Sequence, residues 1–142
     1  MTEILSKTGQ VIYPDDFTLE FKIPLLPPSV NSAYKINHLQ RRMYLSREGN
    51  DFKFLVKTYM PFFKVKEGGL VEISVEYHGN WHTKEGKVRK ADGMNLDKLL
   101  YDAISERLGI DDSCFFKWGG EKIQSPTDYC MVRIKEIKNG SV

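Results

Sequence analysis

The sequence predicts a mixed α/β (α+β) domain, a single mixed β-sheet covered by two main helices. Three observations carry that expectation. DFTLEFKIP (16–24) and LVEISVEYH (70–78) place apolar residues at strand spacing. NLDKLLYDAISERLG (95–109) places Leu96, Leu99, Leu100, Ala103 and Ile104 on one helical stripe. The chain has 142 residues with 41% apolar and 28% charged content, enough for one domain to bury a core without disulfides or a structural metal.

The elements follow in order. In the first strand Phe17, Leu19, Phe21 and Ile23 share a face, and Pro24, Pro27 and Pro28 end it. Residues 1–15 fit no element and are expected to be a flexible or peripheral segment. PPSVNSAY (27–34) reads as a rigid polar loop, because two prolines restrict the backbone that leads into Ser29, Asn31 and Ser32. SREGNDFKFLVKTYM (46–60) reads as a helix with Ser46 as N-cap and Phe52, Leu55, Val56 and Met60 as its stripe, although Gly49 is a weak point. Lys66 to Gly69 read as a turn before the second strand. Residues 79–93 read as one long loop. Gly109 closes the leucine-rich helix, and two strands, 114–124 and 129–137, flank a turn at Ser125-Pro126-Thr127-Asp128.

Composition narrows the function classes. No run of about 18 apolar residues is present, so a spanning helix is excluded. MTEILSKTGQ has neither the apolar core nor the cleavage pattern of a secretory leader. Cys114 and Cys130 lack CxxC spacing and read as buried free thiols of a reducing cytosol. The histidines His38, His78 and His82 offer no third ligand at zinc spacing. There is neither GxxxxGK[ST] nor GxSxG, so a phosphate-binding P-loop and an esterase elbow are unsupported.

The net charge of +2 says little, but its distribution says more. KINHLQRRMYLSR (35–47) carries Lys35, Arg41, Arg42 and Arg47 with no acid, and KEGKVRK (84–90) carries Lys84, Lys87, Arg89 and Lys90 against Glu85. Both read as loops or element ends. One such cluster is an ordinary solvated surface; two beside candidate site segments point to a polyanion. Ser29 and Asn31 would add hydroxyl, amide and backbone donors to that phosphate track. Tyr34, Tyr44 and Trp81 are candidates for stacking on unpaired bases, or for ordinary packing.

On the leucine-rich helix, Asn95, Lys98 and Asp102 fall within about 60° of one another, away from the apolar stripe. Asp92 precedes this helix, and Asp111 and Asp112 follow it. If the flanking loops converge, Asp92 and Asp112 can share a hard cation such as Mg²⁺, whose chemistry with Lys98 nearby suits phosphodiester hydrolysis. The plainer alternatives are a Lys98–Asp102 surface pair and turn chemistry at Asp111-Asp112.

PPSVNSAY (27–34), YLSREG (44–49), DGMNLDKLLYDA (92–103) and IDDS (110–113) together resemble the RusA family of Holliday-junction resolvases, over roughly residues 20–125. The family pattern is proline-proline-serine-x-asparagine, then tyrosine-leucine-serine-x-glutamate-glycine. An aspartate-x-aspartate-asparagine motif follows, with a lysine three residues on, then an aspartate-alanine pair and a closing aspartate pair. The resemblance implies a small, phage-associated, Mg²⁺-dependent endonuclease (Mn²⁺ being the alternative ion) that acts on four-way junctions in recombination and repair. It implies a homodimer in a bacterial cytoplasm. It assigns catalysis to Asp92, Lys98 and Asp112, the metal to Asp92 and Asp112 with Asp111 beside them, and supporting places to Asn95 and Asp102.

One departure stands out. The family's second aspartate falls on Met94, and a thioether is a poor ligand for Mg²⁺. Asp97, three residues on, is a candidate replacement ligand if Met94 already lies in the first helical turn. The alternatives are a protein of the same fold that binds junctions without cutting them, and an interaction domain whose acids only serve turns.

Overall fold

A computed structural model of the chain describes residues 18–62, 64–65, 69–89 and 93–137. The N-terminal segment 1–15, most of the turn expected at 66–69, Lys90 and Asp92 lie outside the described residues. The strands are β1 (Thr18–Ile23), β2 (Tyr34–Asn37), β3 (Arg42–Leu45), β4 (Leu70–Gly79), β5 (Phe115–Gln124) and β6 (Tyr129–Ile137). The helices are α1 (Val30–Ala33), α2 (Arg47–Tyr59) and α3 (Gly93–Leu108), and a single 3₁₀ turn spans Asp112–Cys114.

Among the described residues, four strands form a mixed sheet in the order β1-β6-β4-β5, and β2 and β3 form a separate two-stranded ribbon. β6 pairs antiparallel with β1 and β4, while β5 runs parallel to β4 at the edge. The register explains the core. Ile23, Cys130 and Tyr77 make one cross-strand row, Phe21, Val132 and Val75 the next, and Leu19, Ile134 and Ile73 a third. All nine side chains are buried. The period of two that marks these strands therefore puts a continuous apolar face under α2 and α3. The reverse face is polar, with Arg133 bonded to Glu20 at 2.7 Å across strands.

α2 begins where Ser46 Oγ accepts the Gly49 amide at 3.1 Å, and it stops before Pro61, which disfavours a helical residue ahead of it. Replacing such a cap by alanine costs about 1 kcal/mol. Phe52 and Val56, one turn apart, carry its buried face. Gly49 is no weak point, for a Cβ there would stand 2.9 Å from the Ala33 carbonyl, so the glycine lets α2 abut α1. α3 buries Leu96, Leu99, Leu100, Ala103, Ile104 and Leu108, and Gly109 ends it at φ +67°. Cys130 is buried, and burial pushes its thiol up to about 12; both cysteines are free.

Four expectations change. PPSVNSAY is not a loop throughout: Val30–Ala33 form one helical turn capped by Ser29, whose Oγ accepts the Ser32 amide at 3.3 Å. The basic run 35–47 is a β-hairpin leading into α2 rather than a loop. Within 79–93, His82 bridges Val88 and Gly86 turns at φ +82°, so much of the expected loop is a small folded excursion. Trp81 is buried, its indole N–H bonded to the carbonyls of Tyr77 at 3.0 Å and Ile123 at 3.1 Å, which removes it as a stacking surface.

Candidate functional site

Three of the motif segments meet beside the middle of α3. Ser46 donates its hydroxyl to the Ser32 carbonyl at 2.7 Å, and its amide bonds the Ala33 carbonyl at 2.8 Å. These bonds lock the segment 27–34 to the segment 44–49. Tyr34, directly after α1, then donates its hydroxyl to Asp102 Oδ2 on α3. Burial, with that bond next, pushes the Tyr34 hydroxyl well above its ordinary range, so it stays a neutral donor.

Asp102 also takes Lys98 Nζ at 3.5 Å, one turn back along α3. The Lys98 ammonium stands 5.3 Å from the centre of the Tyr34 ring. Lysine, carboxyl group and phenol thus hold one another in place. The ion pair itself is half exposed and contributes little to stability; its use lies in aiming the ammonium.

Lys98 and Asp102 line an open cleft of about 390 Å³ between α3 and the edge strand β5. Tyr101 stands with them on α3, Asp112 and Ser113 come from the 3₁₀ turn, and Phe115 and Trp118 from β5. Trp118 pairs with Ile73 in the parallel register, so it points to the helical side of the sheet, and among the described residues no further strand flanks β5 there. It is 63% exposed. Asp112 reaches this cleft because α3 ends at Gly109 and the chain turns back at once into β5. Asp111 caps that turn, its carboxyl accepting the Ser113 amide at 2.9 Å, and this bond holds its pKa below the ordinary carboxylate range.

The structure therefore gathers Lys98, Asp102 and Asp112, with Asp111 adjoining. Asp97 does not line the cleft. It accepts the Tyr77 hydroxyl and faces Gly120 of β5, beneath α3. α3 begins at Gly93, so Met94 does belong to the first turn, one turn before Asp97. Asp92 lies outside the described residues, as do the side chains of Met94 and Asn95. Ser29 is spent on capping α1, while Asn31, Lys35, Arg41, Arg42, Arg47, Lys87 and Arg89 are exposed.

Sequence reasoning did not single out Tyr101 or Trp118. The Tyr101 hydroxyl is buried in the cleft wall with no hydrogen-bond partner among the described residues, and burial, with Asp97 nearby, raises its pKa. A buried hydroxyl left unpaired costs about 1–3 kcal/mol. Neither residue carries a local signal; a tyrosine on a leucine stripe and a tryptophan in a strand both read as core.

The donor set suits a hydrated divalent cation. Its carboxyl oxygens, on Asp102 and Asp112, are hard ligands of the kind that such an ion prefers. Among the described residues no three histidine, cysteine, aspartate or glutamate side chains are grouped closely enough to hold the ion unaided.

A small α+β domain with carboxyl groups and a lysine in an open cleft, and a basic ribbon rooted beside it, defines the class: a domain equipped to act on a nucleic-acid backbone. The family model described as endodeoxyribonuclease RusA matches residues 24–135. The chain belongs to the RusA family, endodeoxyribonucleases that depend on divalent metals and resolve Holliday junctions. No curated protein matches the chain. No helix among the described residues is long and apolar enough to cross a membrane.

Proposed function

We propose that this chain, acting as a single domain in a symmetric homodimer, resolves four-way DNA junctions by paired nicks in strands of like polarity. Two equal cuts call for two equal sites, which a two-fold dimer provides. The observation that carries this reading is the meeting of Asp112 with Lys98 and Asp102 in one cleft, from segments that the sequence keeps apart.

The roles follow from the geometry and the family pattern. Asp92 and Asp112 would hold Mg²⁺, with Mn²⁺ as a substitute and Asp111 beside them, whereas Asp97, turned to Tyr77 and Gly120, stays outside the set. The cation supplies charge neutralisation and a more acidic water. Lys98 meets the negative charge that grows on the phosphate oxygens during in-line displacement. Asp102, bonded to both Tyr34 and Lys98, keeps that ammonium over the cleft, and Asn95 keeps the supporting place that the family pattern gives it. Asn31, Lys35, Arg41, Arg42 and Arg47, with Ser29, and the second basic run of Lys87, Arg89 and Lys90 would track phosphates, so binding weakens steeply with salt. Such an enzyme belongs to recombination and repair in a bacterial cytoplasm, a setting compatible with prophage origin.

Met94 favours a second reading, a junction binder that has lost cleavage. Synthetic four-way junctions incubated with the wild type, Met94→Asp and Asp92→Asn in Mg²⁺ separate the two. The resolvase reading expects paired nicks from the wild type, faster nicking with Met94→Asp and none with Asp92→Asn. A shifted junction with no nicked product from the wild type establishes the binder instead, and equal affinity for branched and linear duplex sinks both.

A further inference from the structure

The hairpin β2–β3 has an apolar stripe that the cleft does not use. At its root Tyr34 faces Leu45 in register, and both pack against the core. The next pair on the same face is Ile36 and Met43, and these are 61% and 64% exposed. Beyond them, in the turn, Leu39 is 98% exposed. The stripe that anchors the ribbon thus runs on past the point where the core covers it, out to the tip.

The tip has a fixed form. Asn37 Oδ1 accepts the amides of Leu39 at 3.1 Å and Gln40 at 3.2 Å, and Arg41 closes the turn at φ +52°. Leu39 is therefore presented in one direction. The charged side chains around the stripe are all cations: Lys35 and Arg42 project from the opposite face, beside Tyr44 and Asn37, and Arg41 flanks the turn. Ile36, His38, Arg41, Arg42 and Met43 border a shallow hollow of about 360 Å³. No acid interrupts residues 34–47.

A surface that is apolar along one line and cationic at its margins fits a partner with the reverse order, anionic edges around an apolar interior. Stacked bases between two phosphate backbones have that order. Inserting an apolar wedge between base pairs costs unstacking energy, and least where stacking is already interrupted. A branch point is such a place.

We infer that the β2–β3 hairpin is a wedge that enters the branch point: Leu39 leads, Ile36 and Met43 follow, and Lys35, Arg41 and Arg42 hold the phosphates on either side. The inference rests on the junction reading above and adds to it how the branch is opened. The wedge is joined to the chemistry, because Tyr34 at the ribbon root is the residue bonded to Asp102 in the cleft. Opening the branch and seating a phosphate in the cleft then occur on one rigid piece.

The test uses the full chain and a four-way junction carrying 2-aminopurine at the branch point, with Ca²⁺ for binding and Mg²⁺ for cutting. Leu39→Ser and the double variant Ile36→Ser/Met43→Ser change exposed positions, so folding should persist, and thermal melts check it. Wild type is expected to bind and to raise the fluorescence as bases unstack. Leu39→Ser is expected to bind within about threefold of wild type, lose at least about half of the fluorescence rise and cut roughly tenfold more slowly, in keeping with an unstacking step left without its wedge. If both variants keep the full fluorescence rise of a wild type that cuts, the wedge is wrong and the junction reading survives. If the wild type neither binds nor cuts junctions, the reading beneath it fails. If Leu39→Ser turns a dimer into a monomer by sedimentation, the tip is a contact between copies and the wedge is overturned.

Discussion

The cleft beside α3 and the hairpin β2–β3 lie next to each other and are built in opposite ways. In and under the cleft, side chains are fastened: Asp102 by Tyr34 and Lys98, Asp97 by Tyr77, Asp111 by the Ser113 amide. On the hairpin the large side chains face outward, and beyond Tyr34 and Leu45 little packs against them. The difference follows from the two tasks. Charge stabilisation at a reacting phosphate needs groups fixed in advance, so it is placed on a helix and a strand edge. Recognition of a large anion gains from reach, and a short ribbon supplies it while its root stays tied to the core.

Removing the Lys98 ammonium is the severest way to break this contrast. Lys98→Met is expected to slow cleavage by about 10²–10³-fold, the usual cost of one charge-stabilising group, while junction affinity and melting stay near wild type. Wild-type cutting rates from that variant would mean that the cleft is not where the chemistry occurs.

Tyr34 joins the two regions, so its loss should register in both. Tyr34→Phe takes a hydrogen bond from a partly buried Asp102, with an expected loss of about 1–2 kcal/mol in urea denaturation and a further fall in cutting rate. A stability loss with unchanged cutting would show that Asp102 does not position Lys98.

The hairpin should fail differently. Arg41→Ala/Arg42→Ala is expected to leave the melting curve within about 0.5 kcal/mol of wild type, since both residues are exposed. The slope of log affinity against log salt should shrink by about 0.9 for each phosphate contact removed. An unaltered slope would detach these arginines from the DNA.

The smallest effect is expected at Tyr101. Tyr101→Phe deletes a hydroxyl that has no partner among the described residues, so stability without divalent ions should hold or rise by up to about 1 kcal/mol. A clear loss in metal-free melting would mean that the hydroxyl is paired in solution.

Much of the fold was legible because its signals are periodic. Leu19, Phe21 and Ile23 alternate, Ile73, Val75 and Tyr77 do the same, and the leucines of α3 recur at helical spacing; all of these are buried, although the second strand's face starts at Val71 and not at Leu70, where the sequence reading began it. The hairpin was not legible. Its strands are four residues long, so the alternation of Tyr34 with Ile36 and of Met43 with Leu45 is too brief to stand out, and its arginines read as loop. The single turn of α1 was hidden behind two prolines, although Ser29 ahead of Val30 is an ordinary capping signal. Trp81 was ambiguous for another reason. Its indole is satisfied by carbonyls of Tyr77 and Ile123, a meeting of strands that no local pattern announces.

The sequence by itself determined the pieces and one edge of the site. A helix repeats every 3.6 residues, so Lys98 and Asp102 had to share a face whatever surrounded them. Only the tertiary structure decided what that face would meet. Tyr34 arrives because Ser46 ties down the segment before it, Asp112 because the chain reverses after Gly109, and Trp118 because β5 takes the uncovered edge of the sheet. Each of these neighbours is set by packing between distant segments, which short-range pattern does not encode.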